Sequence, residues 1–132
     1  MNRELKFRIY NKLANQFQYD LTICANGKLN EIDDKYQSNY VIQQYTGLKD
    51  KNNKELYEGD IVKFNLPNSL SYSDYLNNGL KKIAYDVDSN YIGYVAVRLN
   101  ADFLGEGYVI NEFWKDYMKI VSNIFENKEL LK

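Results

Sequence analysis

Ile83-Ala84-Tyr85-Asp86-Val87-Asp88-Ser89-Asn90-Tyr91-Ile92-Gly93-Tyr94-Val95-Ala96-Val97-Arg98-Leu99 is the stretch that decides the fold. Ile83, Tyr85 and Val87 alternate with Ala84 and Asp86, the period of two at which successive strand side chains point to opposite faces. Asp88-Ser89-Asn90 supplies turn-favouring residues, and a run rich in β-branched and aromatic residues continues to Leu99. The stretch predicts an antiparallel hairpin, with Gly93 marking a bend or bulge in its second strand.

The segments upstream read the same way. Ile61 to Leu66 puts Val62, Phe64 and Leu66 on one face, and Glu58-Gly59-Asp60 delivers the chain into it through a tight turn that asks Gly59 for a positive φ. Pro67 has no N–H to give a ladder and closes that strand. Tyr40 to Tyr45 predicts a strand ended by Thr46-Gly47, and the hydrophilic Lys49 to Lys54 predicts an exposed turn. Asp33 to Asn39 is polar and turn-like. Phe17, Tyr19, Leu21 and Ile23 alternate with Gln18, Asp20 and Thr22 ahead of Asn26-Gly27, a dipeptide suited to a type I′ turn, so a hairpin returning through Leu29 and Ile32 is predicted. Lys6 to Tyr10 predicts the first strand, with Phe7 and Ile9 on one face and Lys6, Arg8 and Tyr10 on the other.

Residues 68–79 predict a long loop or a short irregular helix. Gly105-Glu106-Gly107 predicts a flexible turn before Tyr108-Val109-Ile110. Phe113, Trp114, Tyr117 and Met118 have the spacing of a short amphipathic helix near the C-terminus. A last strand through Ile120-Val121 and Ile124-Phe125 follows, with Asn127 capping a terminal turn. The fold class expected is mainly β, built of antiparallel hairpins with a short C-terminal helix, and a β-rich α+β arrangement is the alternative. At 132 residues one domain over 1–132 with one core is expected.

Composition narrows the chemistry. There is no histidine, which removes the commonest neutral-pH general base and the usual Ser-His and Cys-His pairs. With one cysteine besides, the usual zinc sites cannot be assembled from this chain. Cys24 reads as a buried structural thiol. Asp33-Asp34 and Asp86-Val87-Asp88 sit beside predicted turns, and solvated turn aspartates account for them without a metal. No phosphate-binding loop and no Gly-x-Gly-x-x-Gly follows a strand. The reading is a non-enzymatic protein with no catalytic residue, cofactor or metal site. No membrane-spanning segment and no apolar signal core is expected, so the expected location is cytoplasmic.

Seventeen basic and eighteen acidic residues leave a net charge of −1, which gives no long-range attraction to nucleic acid or anionic lipid. Thirteen tyrosines combine large apolar area with a polar tip, a combination that suits sheets, protein interfaces and stacking platforms alike. Tyr72, Tyr75, Tyr91 and Tyr94, in or beside the loop-rich middle, are the candidate exposed contacts. Lys49, Lys51 and Lys54 form a candidate basic patch, interleaved with Asp50 and Glu55.

Two stretches carry a family resemblance. Tyr45-Thr46-Gly47-Leu48-Lys49-Asp50-Lys51-Asn52-Asn53-Lys54-Glu55-Leu56-Tyr57-Glu58-Gly59-Asp60-Ile61-Val62 and Ile120-Val121-Ser122-Asn123-Ile124-Phe125-Glu126-Asn127-Lys128-Glu129-Leu130-Leu131 resemble the YopX family of phage and prophage proteins. Asn53 stands where that family usually has a turn glycine, Ser122 replaces another glycine, and Lys128 replaces a proline. Residues 66–118 show little similarity, so a contact surface particular to this chain is expected there. The resemblance implies a phage-encoded, mainly β protein with a small SH3-like barrel around Gly59-Asp60-Ile61-Val62, and it brings no catalytic residues. The expected function is binding of a host or phage protein, such as a host enzyme or defence component. The alternative is a small β-barrel that binds nucleic acid, and exposed strand edges make homo-oligomers a further expectation.

Overall fold

The structure, a computed structural model, describes residues 5–87, 92–101 and 104–126. Its strands are β1 (Phe7–Asn11), β2 (Gln16–Gln18), β3 (Tyr40–Lys49), β4 (Glu55–Tyr57), β5 (Asp60–Phe64), β6 (Lys81–Val87), β7 (Ile92–Arg98), β8 (Tyr108–Val109) and β9 (Met118–Asn123). One short α-helix, α1 (Ser73–Asn77), and 3-10 turns at Asp34–Asn39, Leu104–Glu106 and Glu112–Tyr117 complete the described elements. The protein is mainly β and antiparallel, as its alternating patterns predict. The chain packs as two compact units, one ending at Gln44 and one running from Tyr45 onward.

In the unit ending at Gln44, β1 pairs with β2 on one side and with the start of β3 on the other. Ile9 and Tyr10 are both buried, so both faces of β1 are covered at its centre, while Phe7 is exposed. β2 stops at Gln18, earlier than the alternation through Ile23 predicts, and only the bridge between Ile23 and Leu29 continues the hairpin. Its turn has three residues: the Cys24 N–H donates to the Lys28 carbonyl, and Gly27 alone in the turn takes a positive φ. The type I′ expectation fails because the Asn26 side chain accepts from the Lys28 N–H, which leaves the left-handed position to Gly27. Cys24 is half-buried, not buried, and unoxidised.

The unit from Tyr45 onward holds a five-stranded antiparallel sheet in the order β8-β7-β6-β5-β9, curled into a half-barrel. The predicted hairpin is present as β6 and β7, whose register runs unbroken from Lys81 opposite Arg98 to Val87 opposite Ile92. Gly93 lies directly opposite Asp86 in that register, so there is no bulge at this position. Inside the curl, Leu56, Val62, Phe64, Leu66, Leu76, Ile83, Tyr94, Ala96, Ile110, Trp114, Met118 and Ile120 form one apolar core. The C-terminal helix expected at Phe113–Met118 is a 3-10 turn that buries Trp114, and Met118 already belongs to β9. β3 does not end at Thr46-Gly47; it continues to Lys49 through a register irregularity that contains Gly47 at φ +89°.

The glycine pair at 105 and 107 is less free than its sequence suggests. A Cβ on Gly107 would collide with the Val97 side chain and the Ala96 carbonyl, because this residue carries the chain flat against β7 into β8. Gly107→Ala is expected to cost about 1–3 kcal/mol by overpacking, read as a lower urea midpoint at constant slope. The capping turn expected at Asn127 lies outside the described residues.

Candidate functional site

The two stretches with recognisable motifs meet in space, because β5 pairs with β9 from Asp60 opposite Asn123 to Phe64 opposite Met118. Their polar residues serve the backbone. The Thr46 hydroxyl donates to the Leu56 carbonyl (2.8 Å) and accepts from the Leu48 N–H (3.1 Å). Asp50, 1% exposed, accepts from the N–H groups of Asn52 (2.9 Å) and Lys54 (3.0 Å) with one oxygen and from Ile120 (2.9 Å) with the other. Asp60 accepts from the Tyr57 N–H (2.8 Å) across Gly59, whose φ of +87° makes the predicted turn. The Asn123 side chain accepts from Phe125 and Glu126. These groups hold turns and a sheet edge.

Residues 66–118 present a different chemistry. Asn77 clamps the Leu66 backbone with both ends of its amide (2.7 and 2.9 Å), and the Ser73 hydroxyl donates to the Leu70 carbonyl. The loop so fixed holds Tyr72 and Tyr75 against the core. Ring centroids then run from Tyr75 to Tyr108 (5.4 Å), Tyr108 to Tyr72 (5.7 Å), Tyr72 to Trp114 (5.3 Å) and Trp114 to Phe64 (5.6 Å). The inner end, Trp114 and Phe64, is buried; the outer end, Tyr108, is 38% exposed and is followed by exposed Val109 on the edge strand β8. Such a ladder presents aromatic area whose rotamers packing has already fixed, so ordering it on a partner costs little.

Beside the ladder lie charges that sequence reading missed. Lys81 is fully buried, its ammonium donating to the carbonyls of Asn78 (2.7 Å) and Gly79 (3.1 Å) and lying 5.1 Å from the Tyr75 ring centroid. Arg98 donates twice to one Glu106 oxygen (2.7 and 3.1 Å), and its backbone N–H donates to the Tyr75 hydroxyl. Burial pushes the Lys81 ammonium below the ordinary lysine value of 10.5; the Arg98 charge adds to the push and Glu106 opposes it. Between the lowered folded value and 10.5 the unfolded chain binds more protons, so this site's contribution to stability rises as pH rises through that interval. Urea unfolding of wild type and Lys81→Met across the interval is expected to show the stability gap moving in favour of wild type with pH.

Of the candidate contacts, Tyr72 and Tyr75 are half-buried members of the ladder, and Tyr91 lies outside the described residues. Tyr94 is a core residue, 6% exposed and stacked edge-on with Tyr85, so it offers no surface. The continuous apolar run Tyr94-Val95-Ala96-Val97 is that of a strand covered on both faces. Lys51 and Lys54 are exposed, and Lys49 is half-buried in a recess with Tyr45, Leu48 and Lys115. Lys51 instead faces a groove of about 790 Å³ that it shares with Lys63 and Lys119. Of the paired aspartates, Asp34 forms a surface ion pair with Lys28 (3.2 Å), and no three Cys, Asp or Glu side chains converge among the described residues. No helix among them is long and apolar enough to cross a membrane.

A model of the family described as YopX protein matches residues 6–132. The crystal structure of protein EF1440 from Enterococcus faecalis is similar in fold, with a TM-score of 0.66 at 23% identity over 99% of this chain and 100% of that one. A comparison with curated proteins gave no match.

Proposed function

We propose, from the premise that this chain belongs to the YopX family, that it is a non-catalytic binding protein of a phage or prophage, acting in the bacterial cytoplasm on a host or phage protein. The observation that carries this reading is the aromatic ladder: it is anchored on Trp114 and ends in Tyr108 and Val109 on an edge strand. Tyrosine-rich, preordered surfaces with a charged rim are the composition that protein interfaces favour, and Arg98 with Glu106 supplies the rim here. The motif residues, by contrast, are engaged in backbone contacts.

Tyr108→Ala is expected to weaken partner binding by about 30-fold, the effect of removing a central aromatic anchor. The thermal midpoint should fall only a few degrees, because the ring is partly exposed. Calorimetric titration with the captured partner checks the first expectation and a melting curve the second. Equal affinity for wild type and variant would move the interface elsewhere.

A further inference from the structure

Lys63 on β5 and Lys119 on β9 lie directly opposite each other in the antiparallel register, and both are exposed. Like charges so placed repel, which makes the pair a cost to the fold unless something anionic lies over it. A third lysine joins them: the Lys51 N–H donates to the Met118 carbonyl (2.9 Å), which fixes this residue beside the start of β9. All three line the 790 Å³ groove, where Asp116 is the single carboxylate among the lining residues. Among the described residues none of the three ammonium groups is held by an ion pair or hydrogen bond.

We propose that this groove binds single-stranded nucleic acid. The lining cations are all lysines, which hold phosphates as point charges without the planar fork that arginine offers a carboxylate. Tyr117 lines the same groove, and the Phe113 ring lies 6.0 Å from it and is 61% exposed, so bases have a surface on which to stack. With a net charge of −1 the protein gains no long-range steering, so the binding is short-range, tolerant of sequence and sensitive to salt.

Fluorescence anisotropy of a labelled oligothymidylate against the full chain tests this. Three phosphate contacts on a single strand predict that log K falls with log salt at a slope of roughly −2. Lys63→Gln should flatten the slope by about 0.7. Its melting temperature should hold or rise, because the repulsion with Lys119 is relieved. Lys63→Glu with Lys119→Glu should abolish binding. No binding at low salt, equal binding by these variants, or tighter binding of a polyglutamate peptide in the same groove would overturn the proposal, the last in favour of an acidic protein segment. Failure here leaves the aromatic-face reading standing, since no groove lysine belongs to the ladder.

Discussion

Asp50→Ala should lower the unfolding free energy by about 3–5 kcal/mol, because it leaves three backbone donors without the charged acceptor they share. Two of those donors, Asn52 and Lys54, shape the turn, and the third, Ile120, belongs to the outer edge of β9. Bonds to an ionised acceptor contribute about 1.5–3 kcal/mol each, and water entering the opened turn returns part of the sum. The Lys51 N–H to Met118 carbonyl bond sits in the same turn, so its loss would also uncover the edge of β9 and favour strand-to-strand association. Asp50→Asn should cost less, about 1–3 kcal/mol, because one oxygen still accepts while the amide nitrogen faces a donor. Urea unfolding followed by Trp114 fluorescence measures both. A change below 1 kcal/mol for alanine would show that the turn holds without its carboxylate.

Trp114→Ala should cost about 3–5 kcal/mol and Phe113→Ala less than about 0.5 kcal/mol, although the two rings are adjacent in sequence. Trp114 is 2% exposed, packs edge-on against Phe64, and its ring N–H reaches the Tyr72 hydroxyl at 3.4 Å. Phe113 is 61% exposed. Removing Trp114 opens a cavity at the root of the aromatic ladder, so it should weaken partner binding as well as stability, whereas Phe113→Ala should leave protein binding intact. Melting curves and titrations of the two variants separate these effects.

The hairpin of β6 and β7 was legible because an alternating strand is followed by a continuous β-rich run, and both of its strands are paired on either side. The equally regular run from Phe17 to Ile23 misled for a physical reason: Tyr19 and Asp20 are exposed and no ladder partner extends past Gln18, so the pattern outlasts the strand. Lys49 to Lys54 reads as a solvated turn, and its chain does turn there, yet Asp50 is buried because its third partner lies 70 residues away. No local pattern reports such a distant contact. Lys81 escaped notice likewise, since its carbonyl partners follow from the path of the loop before β6. Asn53 is explained: it takes φ +64°, the left-handed conformation that asparagine tolerates best after glycine, so the turn survives the loss of the usual glycine. Tyr72 and Tyr75 stand out by composition and position, although both are half-buried, whereas the place of Tyr108, which joins their rings, follows only from β8 pairing with β7.

The motif residues and the divergent residues thus divide the work. Thr46, Asp50, Gly59, Asp60 and Asn123 stabilise turns and the β5–β9 pair. The ladder from Trp114 to Tyr108 instead reaches an exposed edge, and it is the face on which the proposed partner would be recognised.

Affinity capture from a bacterial host lysate, with nuclease present, using wild type and a Tyr108→Ala, Val109→Asp variant of matched melting temperature, tests the central claim most directly. The account predicts a protein retained by wild type, lost from the variant, and bound directly when purified. Retention of the same protein by both, or nothing retained by wild type once nucleic acid is digested, would contradict it.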